Sequence, residues 1–159
     1  MSDLQYLDHI PTESGQVRVA RLKERPSRVV VIIERVTDLM VIEGKKASMV
    51  ALVSNELDYA TSSDVRLEPY ETGLLVPIII ETDTTAPLWD WQLGDPIGQV
   101  PSEFASLLQM FPDPTSFEAR VGSPLLGYWD SRFFWKDRER KELMQLGSDF
   151  FYYIAGYEK

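Results

Sequence analysis

The sequence predicts an α+β fold that is mainly β, a small closed or strongly bent antiparallel sheet with helices after it, and three observations predict it. Through the first hundred residues, short strand-like runs alternate with turn signals and no helical period intervenes. Val29-Val30-Val31-Ile32-Ile33 is a run of five β-branched residues, the pattern of a central strand covered on both faces. After Val100 the apolar spacing changes from two to three and four.

The elements follow in order. Gly15 to Leu22 alternates, with Val17 and Val19 on one side and Arg18 and Ala20 on the other, which predicts a half-exposed strand. Arg28 to Glu34 is the central strand, and Val36 to Ile42 the next. Glu43-Gly44-Lys45-Lys46 is a polar turn whose Gly can take positive φ. Ala47 to Val53 is a second buried strand and Asp64 to Leu67 a short polar one. Leu74 to Ile80 is strongly apolar, but Pro77 lacks a ladder donor and marks an edge, a bulge or a strand start.

Phe104, Leu107, Leu108 and Phe111 form one apolar stripe of a short helix starting near Pro101-Ser102-Glu103. Pro112-Asp113-Pro114 ends it, and Asp113 to Pro124 reads as loop, with Ser123 to Tyr128 a short extended piece. A second helix follows, N-capped by Asp130 or Ser131 and stopped by Gly147. Its middle, Lys136 to Glu142, mixes charge signs at spacings that favour i,i+4 pairing on an exposed face. Phe150-Phe151-Tyr152-Tyr153-Ile154 fits either strand or helix.

At 159 residues, 44% hydrophobic and 26% charged, the chain suits one small barrel with a substantial appendage. The division expected is an N-terminal arm over 1–14, a barrel domain over 15–111 and a C-terminal extension over 112–159 packed on the barrel. No apolar run approaches the roughly 18 residues of a membrane span, and no basic-then-apolar leader opens the chain, so a cytoplasmic protein is expected. Zero cysteines exclude disulfides, thiolate zinc sites and a Cys nucleophile.

The net charge of −9 opposes nonspecific nucleic-acid binding, which rewards Lys and Arg. Its distribution is uneven. Residues 15–54 hold eight basic side chains and four acidic ones, whereas residues 55–118 hold twelve acidic residues and only Arg66. A local basic face on an acidic protein is one reading, and a solvated strand edge charged against aggregation is the other.

The order of motifs carries a family resemblance over residues 15–110. Gly15-Gln16-Val17-Arg18-Val19 opens a strand, Arg25-Pro26 precedes a β-branched one, and an apolar strand ends in Ser54. Gly73, Leu74 to Ile80 and Asp83 form a Gly, strand, Asp unit, and Gly98-Gln99-Val100 leads into the short helix. In this order the chain resembles MazF/PemK-type toxins, whose SH3-like, PemK-type antiparallel barrel it is then expected to share.

The resemblance implies a metal-independent, cofactor-free endoribonuclease acting on single-stranded RNA, working as a homodimer and neutralised by a cognate acidic antitoxin. In such cleavage a ribose 2′-hydroxyl attacks the adjacent phosphate, so the site must take a proton, stabilise charge and protonate the leaving oxygen. By that resemblance Arg25 steadies the phosphate with its planar fork. Ser54 hydrogen-bonds the phosphate, Asp83 acts as base or orients Arg25, and Glu24 is a further acid–base candidate. Arg18, Arg21, Lys23 and Arg28 are the expected RNA-binding side chains. His9, the sole histidine, lies outside every motif.

Three features depart from the family pattern. Only nine residues separate Gly15 from Arg25, where the family commonly has a longer loop that contacts RNA and antitoxin. Arg18 stands where a Trp is frequent. Glu81 stands where some relatives are basic, and it would repel a phosphate. A noncatalytic relative using the fold for dimerisation or protein binding is therefore the alternative. Trp129, Phe133, Phe134, Trp135, Tyr152 and Tyr153, with Arg132, Lys136, Arg138 and Arg140 nearby, either stack unpaired bases or complete a core or subunit interface.

Overall fold

A computed structural model of the chain describes residues 11–36, 46–109, 122–127 and 129–150. The strands are β1 (Gln16–Ala20), β2 (Arg28–Arg35), β3 (Ala47–Ser54), β4 (Asp64–Leu67), β5 (Ile78–Trp89) and β6 (Leu93–Gln99). They form one antiparallel sheet in the order β4-β5-β3-β2-β1-β6. The sheet is not closed: β4 and β6 are its edges and do not pair with each other. Among the described residues, the α-helices are a single turn α1 (Pro69–Thr72), α2 (Ser102–Gln109) and α3 (Ser131–Leu146). The fold is α+β, as the patterning predicts.

β2 is covered on both faces, because its side chains alternate between two cores. Val31 and Ile33 join Val17, Ala51, Val53, Val65, Leu67, Ile78 and Ile80 on one face, with Phe104 of α2 packed against them. Val30 and Ile32 join Ala20, Val50, Leu52, Ala86 and Leu88 on the other, under Leu143 and Leu146 of α3. The β-branched run is what makes a strand tolerable in that doubly buried position.

Two strand readings need correction. The apolar run from Leu74 does not start a strand there; pairing begins at Ile78, just after Pro77, and runs twelve residues to Trp89. Between Ala51 paired with Thr85 and Leu52 paired with Glu81, β5 carries three extra residues, Thr82, Asp83 and Thr84. That bulge hides the continuing strand from any alternation rule. Arg18 is also not half-exposed: its guanidinium is buried and donates to Gln16 Oε1, Gly94 O and Pro11 O. Burial lowers its pKa, opposed by Asp90 and Asp95.

α3 begins and ends where its caps predict. Asp130 accepts from the Arg132 backbone N–H at 3.0 Å, and the Gly147 N–H closes the last turn onto Leu143 O at 3.0 Å. The exposed Asp137–Lys141 pair, 2.9 Å at i,i+4, matches the expected helix-face pairing. Lys136 and Glu139 do not: both are buried against the sheet. The proposed strand over Val36–Ile42, its turn, the end of α2 at Pro112 and the Phe151–Ile154 run fall wholly or mostly outside the described residues, as do His9 and the side chains of Leu107, Leu108 and Phe111.

Candidate functional site

The groove lies where β2 starts and β3 ends. Val29 pairs with Val53, so one step further Arg28 faces Ser54 across the two strands, and directly opposed residues project to the same face. That face is the one α3 covers. The groove encloses about 890 Å³ between Arg28 and Ser54, the α3 residues Trp135, Arg138, Glu139 and Glu142, and the segment Gly73 to Val76. Leu75, Val76 and Ile97 leave an exposed apolar rim on it.

Arg28 in the groove is held by two carboxylates. Arg28 Nη1 and Nη2 donate to Glu139 Oε2 and Oε1, each at 2.7 Å, and Nη1 also donates to Glu142 Oε2 at 2.8 Å. This two-pronged geometry is the strong form of a guanidinium–carboxylate contact. Burial presses the Arg28 pKa down, but the bonds and charges of Glu139, Glu142 and Glu81 outweigh it and the net shift is upward. Ser54 Oγ accepts from the Glu56 backbone N–H at 3.0 Å, which turns the chain out of β3.

Behind Arg28, α3 drives a second cation into the sheet. Lys136 Nζ donates to Asp64 Oδ1, to Asp83 Oδ1 at 3.1 Å and to Glu81 Oε1 at 3.4 Å. Asp64 and Glu81 are neighbours across β4 and β5, both fully buried. Asp64 also accepts from the Thr61 backbone N–H at 2.7 Å. Burial raises the Asp64 pKa against the pull of Lys136. For Lys136 burial acts downward, but Asp64, Glu81 and Asp83 prevail and raise it. Trp135, one residue earlier, is buried and stacks on Tyr59 at 5.4 Å between ring centres.

The residues nominated by resemblance fall in separate places. Arg25 is exposed in the β1–β2 turn and lines a smaller recess, about 360 Å³, with Leu22, Lys23, Glu24, Ser148 and Asp149. Glu24 beside it is exposed and holds φ +67°, the left-handed region that non-glycine residues seldom occupy. Ser54 lines the large groove. Asp83 sits on the β5 bulge and accepts from Lys136, lining neither recess. So Arg25 and Glu24 are together, and Ser54 and Asp83 are each apart from them.

The expected basic face is likewise divided. Arg18 is a buried structural residue and is removed from the RNA-binding set, Arg28 is held by two glutamates, and Arg35 pairs with Asp90 at 3.1 Å. Arg21 and Lys23 are exposed on the turn. Among the described residues, no group of three or more His, Cys, Asp or Glu side chains is disposed to hold a metal ion. None of the described helices is long and apolar enough to cross a membrane. The groove's partners on α3 escaped the sequence reading; the one available signal was the spacing of Lys136, Glu139, Leu143 and Leu146, which lie on one helix face.

No family model matches the chain, and no curated protein matches it. Among solved structures, the Mycobacterium tuberculosis toxin MazF-mt6 is similar at 22% identity, over 60% of this chain and 91% of that one, with a TM-score of 0.43. At that TM-score the overlap assigns no residue a role.

Proposed function

We propose that this chain is a MazF/PemK-like protein that uses its groove as a noncatalytic protein-binding module, with a second copy of itself as the first partner to test. The observation that carries this reading is the dispersal of the nominated catalytic groups. Arg25 lines one recess, Ser54 another, and Asp83 is spent on Lys136. Phosphoryl chemistry needs those groups within hydrogen-bond reach of one phosphate. Of the groove's two arginines Arg28 is held by two carboxylates, and the rim of Leu75, Val76 and Ile97 suits an apolar partner surface better than a polyanion.

Light scattering on the purified protein tests it: a dimer is expected, returned to monomer by Leu75→Asp at the rim. A parent that stays monomeric at every concentration opposes the self-association part of the reading. A second reading, a metal-independent endoribonuclease, draws on one specific observation. Arg28, rather than Arg25, faces Ser54 inside the groove, so an arginine and a hydroxyl share one wall. That reading requires cleavage of single-stranded RNA that is lost in Arg28→Ala.

A further inference from the structure

Every polar atom of a buried carboxylate must find a donor, or carry a proton itself. Glu81 meets this rule only halfway. Its Oε1 accepts from Lys136 Nζ, while Oε2 is buried with no donor among the described residues. The α3 acid coupled to it is the buried Glu139, whose two oxygens already accept from Arg28. Two ionised carboxylates cannot share such a contact, whereas a carboxylic acid donating to a carboxylate can.

We infer that one proton, held on Glu81 and donated to Glu139, latches α3 onto the sheet and so makes the helix's closure over the groove sensitive to pH. The groups facing it come from each packed element: Arg28 from β2, Asp64 from β4, Asp83 from β5, and Lys136, Arg138 and Glu142 from α3 with Glu139 itself. With the proton in place, Asp64, Asp83, Glu139 and Glu142 face Lys136, Arg28 and Arg138. Rising pH passes the proton to solvent and adds a fifth carboxylate at a fully buried point of the cluster. The added charge opposes Glu139 across the helix–sheet contact and so weakens the hold of α3 on the sheet. Burial is the largest cause holding Glu81 protonated, the Glu139 contact the next, and together they push its pKa to about 9 against the pull of Lys136.

The latch stands on the α3–sheet contact and not on which partner the groove takes. Two measurements on the full chain test it. In a carboxyl-carbon NMR titration with labelled glutamate, one Glu resonance is expected to titrate near 9; a protein whose glutamates all titrate in the ordinary acidic range overturns the inference. Amide hydrogen exchange of 131–146, corrected for intrinsic rates, is expected to lose protection by up to roughly tenfold per pH unit on the alkaline approach to that titration. Glu81→Gln keeps a donor toward Glu139 and has no proton to lose, so its α3 protection should stay flat over the same range. Parallel loss in parent and variant contradicts the latch. Should Glu81→Gln not fold, the carboxyl titration of the parent decides alone.

Discussion

The two faces of the sheet are made by the same strands and are held by different physics. Under α2, the face built on Val31, Ile33, Val53, Val65 and Ile80 is wholly apolar, and burying those side chains is favourable in any order of assembly. Under α3, the face is apolar at one end, around Leu52, Leu143 and Leu146, and ionic at the other, around Arg28, Asp64, Glu81, Lys136 and Glu139. Buried charge costs desolvation that pairing only partly offsets. Its return is orientation: Lys136 and Glu139 find partners at one position of α3 on the sheet and at no other. The first face is therefore held by apolar burial alone, whereas the second adds to its own apolar cluster an ionic end that fixes where a helix lies and what shape the groove takes.

The ionic end is most vulnerable at Lys136. Lys136→Met keeps most of the stem and removes the cation, leaving Asp64 and Glu81 buried without it. A loss of about 3–5 kcal/mol is expected in denaturant unfolding. A loss under about 1 kcal/mol would mean that the ionic end is not the brittle one.

The next effect is a pH dependence. Glu81 has its pKa raised above the ordinary 4.5, so its contribution is fully present below that value and is lost as pH rises toward about 9. Glu139 has the opposite sign. Burial pushes it up, but Arg28 and the Glu81 contact prevail, so its contribution is present above its ordinary value and is lost as pH falls. Unfolding midpoints of the parent should thus fall on the alkaline side, and Glu81→Gln should flatten that limb alone.

On the apolar face, Ile80→Val should cost only about 1 kcal/mol, and by the same amount at every pH. The smallest change expected is from Asp130→Ala, which removes the α3 N-cap. It should lower α3 protection in hydrogen exchange slightly and leave the α2 face untouched.

What the sequence discloses follows the same division. Apolar-face elements are legible because period-2 alternation and β-branching report burial directly: the β2 run, Ala47 to Val53 and Asp64 to Leu67 all appear as strands. Local signals also serve, since Asp130 and Gly147 bound α3 from either side. The bulge at Thr82-Asp83-Thr84 is not legible, because a polar run inside a strand looks like a turn, and so the sequence pattern ends β5 at Ile80. The ionic end is illegible for a deeper reason. Lys136 and Glu139 read as solvated on their own helix, and only partners more than fifty residues away in sequence turn them inward. Arg18 misleads in the same way, through carbonyls at Pro11 and Gly94 that no pattern announces. The site residues taken from resemblance match motif order well; motif order does not carry the position of Arg25 relative to the groove.

Incubation of a long, mixed-sequence single-stranded RNA in EDTA with the parent, Arg25→Ala and Arg28→Ala, assayed for 2′,3′-cyclic phosphate ends, separates a binding module from a ribonuclease. A noncatalytic module predicts no such ends from any of the three, even at high protein concentration. Ends produced by the parent and lost in either arginine variant would rule out a noncatalytic module and place a ribonuclease centre on that arginine.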